Sequence, residues 1–545
     1  MEVNRKRGWR KALSVLLAIC LLSAIAAGCS DSGDKTNTTN TGGADNDSQG
    51  SPDNSAAQTT GEKDPYADLP LEVSITILDR GEVAAEEGSY EDNRWTRWID
   101  ENSGVDVKWV PIPRTQSTQK INALIATGEA PDIMWEFGTG FMRNLKDQGV
   151  LQPIDEYVEK YSTIYKAYLA QHPELLPYIT ADGKMYGATS KRGIDVIANH
   201  AMWIRQDWLD HLNLKTPATI EELLDVARAF KSDDPDGNGK DDTYGIAFNY
   251  NWGGIIAALF YCSGIYVEDG KIENSEIGDR YIDIMNFKKT LFQEGLIDQE
   301  YITDTNYQRE RQIWVTGKAG IYLGGYGPPE FRDFRTNNPD AKIVPLEPVA
   351  TKYGKNGLFQ EPPAHKMLTF NKDMKNPKAA MLFLDWVLDK GWFPLKFGLE
   401  GEHYKLVEEV PQAIDAEKNK LELTYAREYG ILDQWDPKPE WFAIMAAQDP
   451  ISQEEAQLKG AGMETALKNP FRRDLPYTPS FPELTELAQF GSIRDEIVTR
   501  VITGDLPAEE AIEQIRSEYS RLGGDQQLEL LQKWYEKNKE GLVVD

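Results

Sequence analysis

Cysteine is nearly missing from this chain: three residues in 545, at 20, 29 and 262. If Cys20 and Cys29 are taken up by an N-terminal signal, Cys262 has no partner and no internal disulfide can form. Histidine is also scarce, with five residues, and none is arranged as HExxH. CxxC, GxSxG and GxxxxGK[ST] do not occur, which argues against zinc peptidases, elbow-type serine hydrolases and P-loop enzymes. Glycosidases need only two carboxylates, so 88 acidic residues leave them open. Basic residues are outnumbered, 59 against 88, for a net charge of −29. Such a chain repels phosphate backbones, so nucleic acid is excluded as a partner. Only one apolar run nears membrane-spanning length, and it lies at the N-terminus.

That run, Ala12–Gly28, follows Arg5, Lys6, Arg7, Arg10 and Lys11 and ends Ala26-Ala27-Gly28-Cys29. A basic start, an apolar core and small residues at the cut make a secretory signal. The cysteine after the cut resembles a bacterial lipobox, which implies lipidation of Cys29 and residence on the outer face of the cell membrane. The alternative is an uncleaved anchor. Removal of residues 1–28 takes away five bases and Glu2, moving the charge from −29 to −33. Residues 29–65 are Ser, Thr, Asn, Asp, Gly and Gln with almost no large apolar side chain, a flexible linker.

The remaining body is too long for one core. Leu71–Leu78 alternates as a strand, Trp95–Ser103 reads as a helix and Val105–Val110 as a second strand. Thr118–Thr127 and Ala130–Trp135 repeat the pattern. Alternating strands and helices predict an α/β lobe with a largely parallel sheet. Thr219–Glu222 reads as a capping box. Asn376-Pro377 starts a helix that Gly391 is expected to stop. Three helices close the chain, at 492–503, 508–521 and 526–538.

Asp234-Pro-Asp-Gly-Asn-Gly-Lys-Asp-Asp fits the first part of an EF-hand loop. Asp234, Asp236 and Asn238 fall at positions 1, 3 and 5, the Lys240 carbonyl at 7 and Asp242 at 9. Gly245 stands where the bidentate glutamate belongs, leaving Thr243 or a residue elsewhere as the substitute donor. A structural calcium ion is expected; an acidic surface turn is the alternative. A sugar cleft wants flat aromatics beside planar hydrogen-bonding groups. Trp135, Glu136, Trp203, Trp252, Tyr326 and Tyr404 sit in or beside irregular segments and are the candidates. Arg192, in Ser190-Lys-Arg-Gly193, offers a fork for a uronate carboxylate, although the net charge steers anions away.

Scattered pieces in a shared order resemble the family 1 extracellular solute-binding proteins, in their lipoprotein branch. They include Gly128–Ile133, Gly149–Ile154, Gly183–Gly187, Trp203–Trp208, Thr216–Leu223, Asp234–Gly245, Gly317–Gly320, Asn376–Ala380 and Leu522–Gly524. The resemblance implies a two-lobe, periplasmic-binding-protein-like α/β fold with a hinge and an interlobe ligand cleft. By analogy, 66–195 and 363–410 form the N-terminal lobe, and 196–362 and 411–545 the C-terminal lobe. It further implies a monomer that is not an enzyme. Such a protein delivers an oligosaccharide to the permease subunits of an ABC importer by cleft closure. The rivals are a tethered lyase or glycosidase and a peptide or metal-chelate receptor on the same scaffold.

Overall fold

The computed structural model describes residues 64–545 apart from 139, 250–252, 305–307, 480, 482 and 543–545. Cys29, the signal, nearly all of the linker and Trp252 lie outside the described residues. No described helix is long and apolar enough to cross a membrane.

Nine strands build the two larger sheets. In chain order they are β1 (Glu72–Asp79), β2 (Asp106–Pro113), β3 (Ile133–Phe137), β4 (Gly187–Ala188), β5 (His200–Arg205), β6 (Tyr244–Ala247), β7 (Ala319–Gly325), β8 (Ile343–Leu346) and β9 (Lys366–Phe370). The first sheet has the order β2-β1-β3-β9-β4 and the second β8-β5-β7-β6. β1 pairs parallel with β2 from Glu72↔Asp106 to Asp79↔Pro113, and parallel with β3, as the strand–helix alternation predicts. β9 returns antiparallel on β3, matching Leu368 with Trp135. Val73, Ile75, Ile77 and Leu78 are all buried, the pattern of a strand covered on both faces.

Each sheet carries its own core. The first draws on residues 73–188, 364–395 and also 423–432, the last through Leu423, Tyr425, Tyr429 and Leu432. The second core is built from residues 198–358 and the helices 490–503 and 508–521. Three connecting segments run side by side between the sheets. Residues 189–199 join β4 to β5, and residues 347–365 join β8 back to β9. The Arg192 N–H donates to the Pro363 carbonyl at 2.8 Å and the Glu361 N–H to the Ile197 carbonyl at 3.0 Å. The third segment, 433–437, lies against the first: Asp433 N–H donates to Ser190 Oγ at 3.1 Å, and Ile194 N–H to Asp436 Oδ1 at 2.9 Å. A Cβ on Gly193 would fall 2.4 Å from the Trp435 carbonyl oxygen, so only glycine allows this approach.

Two local readings change in three dimensions. Gly391 does not stop its helix: Pro377–Trp386 passes through a π turn at Val387–Gly391 into Trp392–Phe397. Val387 and Leu388 are fully buried there, and their burial outweighs the roughly 1 kcal/mol that glycine costs a helix. At the Thr219 cap the hydroxyl accepts from Glu222 N–H at 3.3 Å, but the Glu222 carboxylate reaches the N–H of Ala218 instead of Thr219.

The helix Ile164–Gln171 has no side-chain cap of its own. The buried Asp385 carboxylate supplies one, accepting from the N–H groups of Thr163, Ile164 and Tyr165 at 2.7, 3.1 and 2.9 Å and from the Ser162 hydroxyl at 2.5 Å. Asp385→Ala leaves those donors unpaired in the first core and is expected to cost about 2–4 kcal/mol. Urea unfolding measures it, and a loss below about 0.5 kcal/mol contradicts the capping role.

Candidate functional site

In a parallel α/β sheet, ligands gather at the carboxyl ends of the strands. Here that edge ends in Arg80 after β1, Arg114 after β2 and Phe137 at the end of β3, with His365 preceding the antiparallel β9. Phe137 is the centre of the group. Arg114 and Arg80 lie 5.0 and 5.7 Å from its ring centroid, and the His365 ring lies 5.0 Å away. The second sheet contributes His200 at the start of β5, whose ring meets Phe359 at 5.2 Å; Phe359 in turn meets Phe471 at 5.3 Å. Arg192, on the first connecting segment, holds Glu361 at 3.4 Å. Arg473 donates to the Gln360 carbonyl and lies 5.7 Å from the Phe471 centroid.

A run of aromatic rings leads away from this group. Tyr404 and Phe393 are 5.7 Å apart, Phe393 and Phe397 4.9 Å, Phe397 and Trp435 4.8 Å, and Trp435 and Trp441 5.9 Å. Trp441, at the end of the run, is half-buried. Tyr326 joins from the end of β7 through Phe442 at 5.7 Å. Burial raises the Asp195 carboxyl and the Tyr326 phenol above their ordinary ranges.

The residues singled out from sequence fall into three groups. Arg192, Tyr326 and Tyr404 belong to the segments just described. Glu136 is buried beside them, with Oε1 3.3 Å from Arg114 and accepting the Phe137 N–H at 2.7 Å. Trp135 and Trp203 are fully buried and present no ring face to a ligand. Trp135 packs inside the first sheet under Lys366, whose ammonium lies 5.3 Å from its ring. The Trp203 indole is spent on the Gly325 carbonyl at 3.0 Å. Both lie on strands covered on each side, which the position of a strand end does not reveal. Arg80, Arg114, Phe137, His200, Phe359, His365, Trp435, Trp441 and Arg473 escaped the sequence reading. The spacing Trp435-Asp-Pro-Lys-Pro-Glu-Trp441, aromatics in a proline-broken loop, was the signal available for two of them.

The acidic loop is organised around its own donors. Asp234 accepts the N–H groups of Asn238 and Gly239, each at 3.0 Å. Asn238 Nδ2 donates to Asp236 at 2.8 Å and to Asp242 at 3.2 Å. Burial, then the neighbouring Asp234 and Asp242, push the Asp236 carboxyl up, while Asn238 and Lys318 hold Asp242 down. Carboxylates crowded in this way suit a hard cation. Thr243, the substitute donor expected from sequence, is buried, and its hydroxyl donates to the Phe230 carbonyl at 2.8 Å. A Cβ at Gly245 would fall 2.6 Å from the Ala227 carbonyl oxygen, so no glutamate fits at the twelfth position. Elsewhere, Glu402, His403 and Glu422 bring three donor atoms within 4.8 Å. Arg94 and Lys418 already neutralise that cluster, with Lys418 at 3.0 Å from Glu402.

Burial first, then Arg192, Arg114 and Lys366, lower the His365 imidazole to about 4; burial and Arg192 lower His200 to about 4. Both rings are neutral at pH 7. Unfolded imidazoles take up protons near pH 6.5, so the unfolded state binds more protons between about pH 6.5 and 4. Their contribution to stability is complete above about pH 6.5 and falls away as the pH drops toward 4. An NMR titration of the histidine ring protons checks this, and ordinary midpoints near 6.5 for both rings contradict it.

The profile of the bacterial extracellular solute-binding proteins matches residues 85–392, more than half of the chain. The polygalacturonan/rhamnogalacturonan-binding protein YtcQ of Bacillus subtilis (strain 168) is 30% identical over 327 residues, 56% of this chain. That match spans 61% of YtcQ, under two thirds of its length. Lipoprotein LipO of the same organism is 26% identical over 465 residues, covering 81% of this chain and 88% of its own. Among solved structures, the alginate-binding protein AlgQ2 without calcium ion superposes with a TM-score of 0.66 at 20% identity, over 86% of this chain and 99% of that one. The fold is thus the two-lobe, periplasmic-binding-protein-like α/β fold. The chain belongs to the bacterial extracellular solute-binding protein family.

Proposed function

We propose that this protein captures an oligosaccharide between its two lobes and delivers it to the permease subunits of an ABC importer. The observation that carries the reading is the meeting of two strand edges across three adjacent connecting segments, lined by aromatic rings and guanidinium groups. Rings stack on the apolar faces of sugars, and planar polar groups reach the hydroxyls. Bending of the connecting segments brings the lobes together around the ligand. The lobe division follows the cores, with residues 66–195 and 363–410 in one lobe and 196–362 and most of 411–545 in the other. Residues 423–432 go with the first, because their side chains pack there. YtcQ, by its name a polygalacturonan/rhamnogalacturonan-binding protein, supports a saccharide ligand. The protein works as a monomer and binds without altering its ligand.

Anchorage follows from the lipobox: Cys29 carries the lipid, residues 29–65 form the spacer, and the body sits on the extracellular face of the cell membrane. LipO, a lipoprotein, supports this. The acidic loop holds a structural calcium ion through Asp234, Asp236, Asn238, the Lys240 carbonyl and Asp242. The ion relieves the repulsion among the three carboxylates and braces the entry into β6.

Isothermal titration against a panel of oligosaccharides tests the ligand class. Binding by at least one is expected, with Trp441→Ala weakening it about tenfold. Silence across the panel from folded protein defeats the reading, and the appearance of new reducing ends or unsaturated products revives the enzyme. For the ion, millimolar calcium is expected to raise the melting temperature by about 3 °C or more, and Asp236→Asn to abolish the rise. Identical melting with calcium and with chelator removes the ion from the account. For the anchor, Cys29→Ser is expected to move the protein from the membrane fraction to the medium; unchanged membrane retention counts against lipidation.

A further inference from the structure

Accepting that the cleft holds an oligosaccharide, we propose that its ligand is acidic: a uronate-bearing chain whose carboxylates are gripped by Arg114 and Arg192. This rests on the capture reading above and narrows it.

The local charge opposes that of the whole molecule. In a chain of net charge −29, Arg80, Arg114, Arg192 and Arg473 converge around Phe137, Phe359 and Phe471. Three carboxylates face them: Glu428 against Arg80 at 2.8 Å, Glu136 against Arg114 at 3.3 Å, and Glu361 against Arg192 at 3.4 Å. A neutral sugar gives no reason to gather like charges, whose mutual repulsion costs folding free energy.

The form of the ion pairs sets two of these arginines, Arg114 and Arg192, apart from three others that grip their carboxylates twice. Arg205 grips Asp207 with two bonds, at 2.8 and 2.6 Å. Arg228 grips Glu294 with two, at 2.6 and 3.0 Å. Arg309 grips Asp298 with two, at 2.6 and 3.0 Å. Arg114 and Arg192 instead touch their carboxylates through one nitrogen at longer distance. The guanidinium fork matches a carboxylate in two parallel bonds, and that capacity is unused at both positions. The two are also placed for a ligand crossing the cleft. Arg114 stands on the strand edge of the first lobe and Arg192 on a connecting segment. Phe137 packs beneath Arg114 and beside His365 and holds both at the strand edge.

The imidazoles of His200 and His365 mark the same field. Positive neighbours, Arg192 for both and Arg114 and Lys366 for His365, work with burial to keep them neutral. Arrival of carboxylates reverses that influence, so the bound ligand itself is expected to make these rings easier to protonate.

The experiment uses matched probes: trisaccharides of galacturonate, mannuronate and glucuronate, each beside its carboxyl-reduced counterpart with the same linkages. Titration calorimetry is run on the body and on Arg114→Gln and Arg192→Gln. At least one acid probe is expected to bind about tenfold or more tighter than its reduced partner. Each variant is expected to lose about 10- to 100-fold on the acid probe and markedly less on the reduced one. Rising salt is expected to weaken acid binding alone. Equal affinity for a pair, preference for the reduced sugar, or equal losses on both probes in the variants overturns the proposal while leaving saccharide capture intact. If only neutral members of the broader panel bind, the proposal also falls. If no saccharide binds at all, the capture reading falls with it.

Discussion

The three connecting segments carry the architecture. They are held to one another by backbone hydrogen bonds such as Arg192 to Pro363 and Glu361 to Ile197, and by the close approach of Gly193 to the Trp435 carbonyl. Each sheet keeps its own core, and the segments join the two. Two packed cores joined by hydrogen-bonded segments bend at the segments before either core deforms, because packed interiors resist strain. The same segments bring Arg192, Asp195, Glu361 and Trp435 to the space between the sheets. What joins the lobes therefore also furnishes the site.

Charge is distributed with the same economy of position. The surface is acidic, which favours solubility, while basic groups collect at one strand edge. Two histidines within that edge are neutral at pH 7 because burial and the guanidinium groups disfavour their charged form. The acidic loop at 234–242 is the opposite case, crowded carboxylates tempered by Lys231, Lys318 and Asn238. Its truncated form has a packing cause. The chain enters β6 at once and presses Gly245 against the helix 220–232, leaving no room for a twelfth-position side chain.

Much of the fold was readable in the order of residues. β1, β2 and the helices at 94–103, 117–127 and 508–521 fall within a few residues of their predicted ranges, because apolar period and capping act locally. The helix through Gly391 was misread because its continuation depends on burial of Val387 and Leu388 by distant parts of the chain. The site was half legible. Arg192, Tyr326 and Tyr404 could be chosen as loop residues, yet Trp135 and Trp203 looked alike and proved to be core. An aromatic residue carries no local sign of which face will be covered.

The sequence by itself determined the class of the molecule: an acidic α/β chain of the extracellular solute-binding family with an oxygen-rich loop at 234–242. Those properties reside in composition, short motifs and periodicity, each complete within a few tens of residues. Tertiary structure alone decided which side chains share the cleft. Arg80, Arg114, His200, His365 and Arg473 come from separate strand ends and loops as many as 393 positions apart, from residue 80 to residue 473. Only the pairing of β9 with β3 and the stacking of the connecting segments bring them together. Long-range pairing of that kind leaves no trace in any local pattern, because the free energy that selects it comes from burial shared across the whole chain.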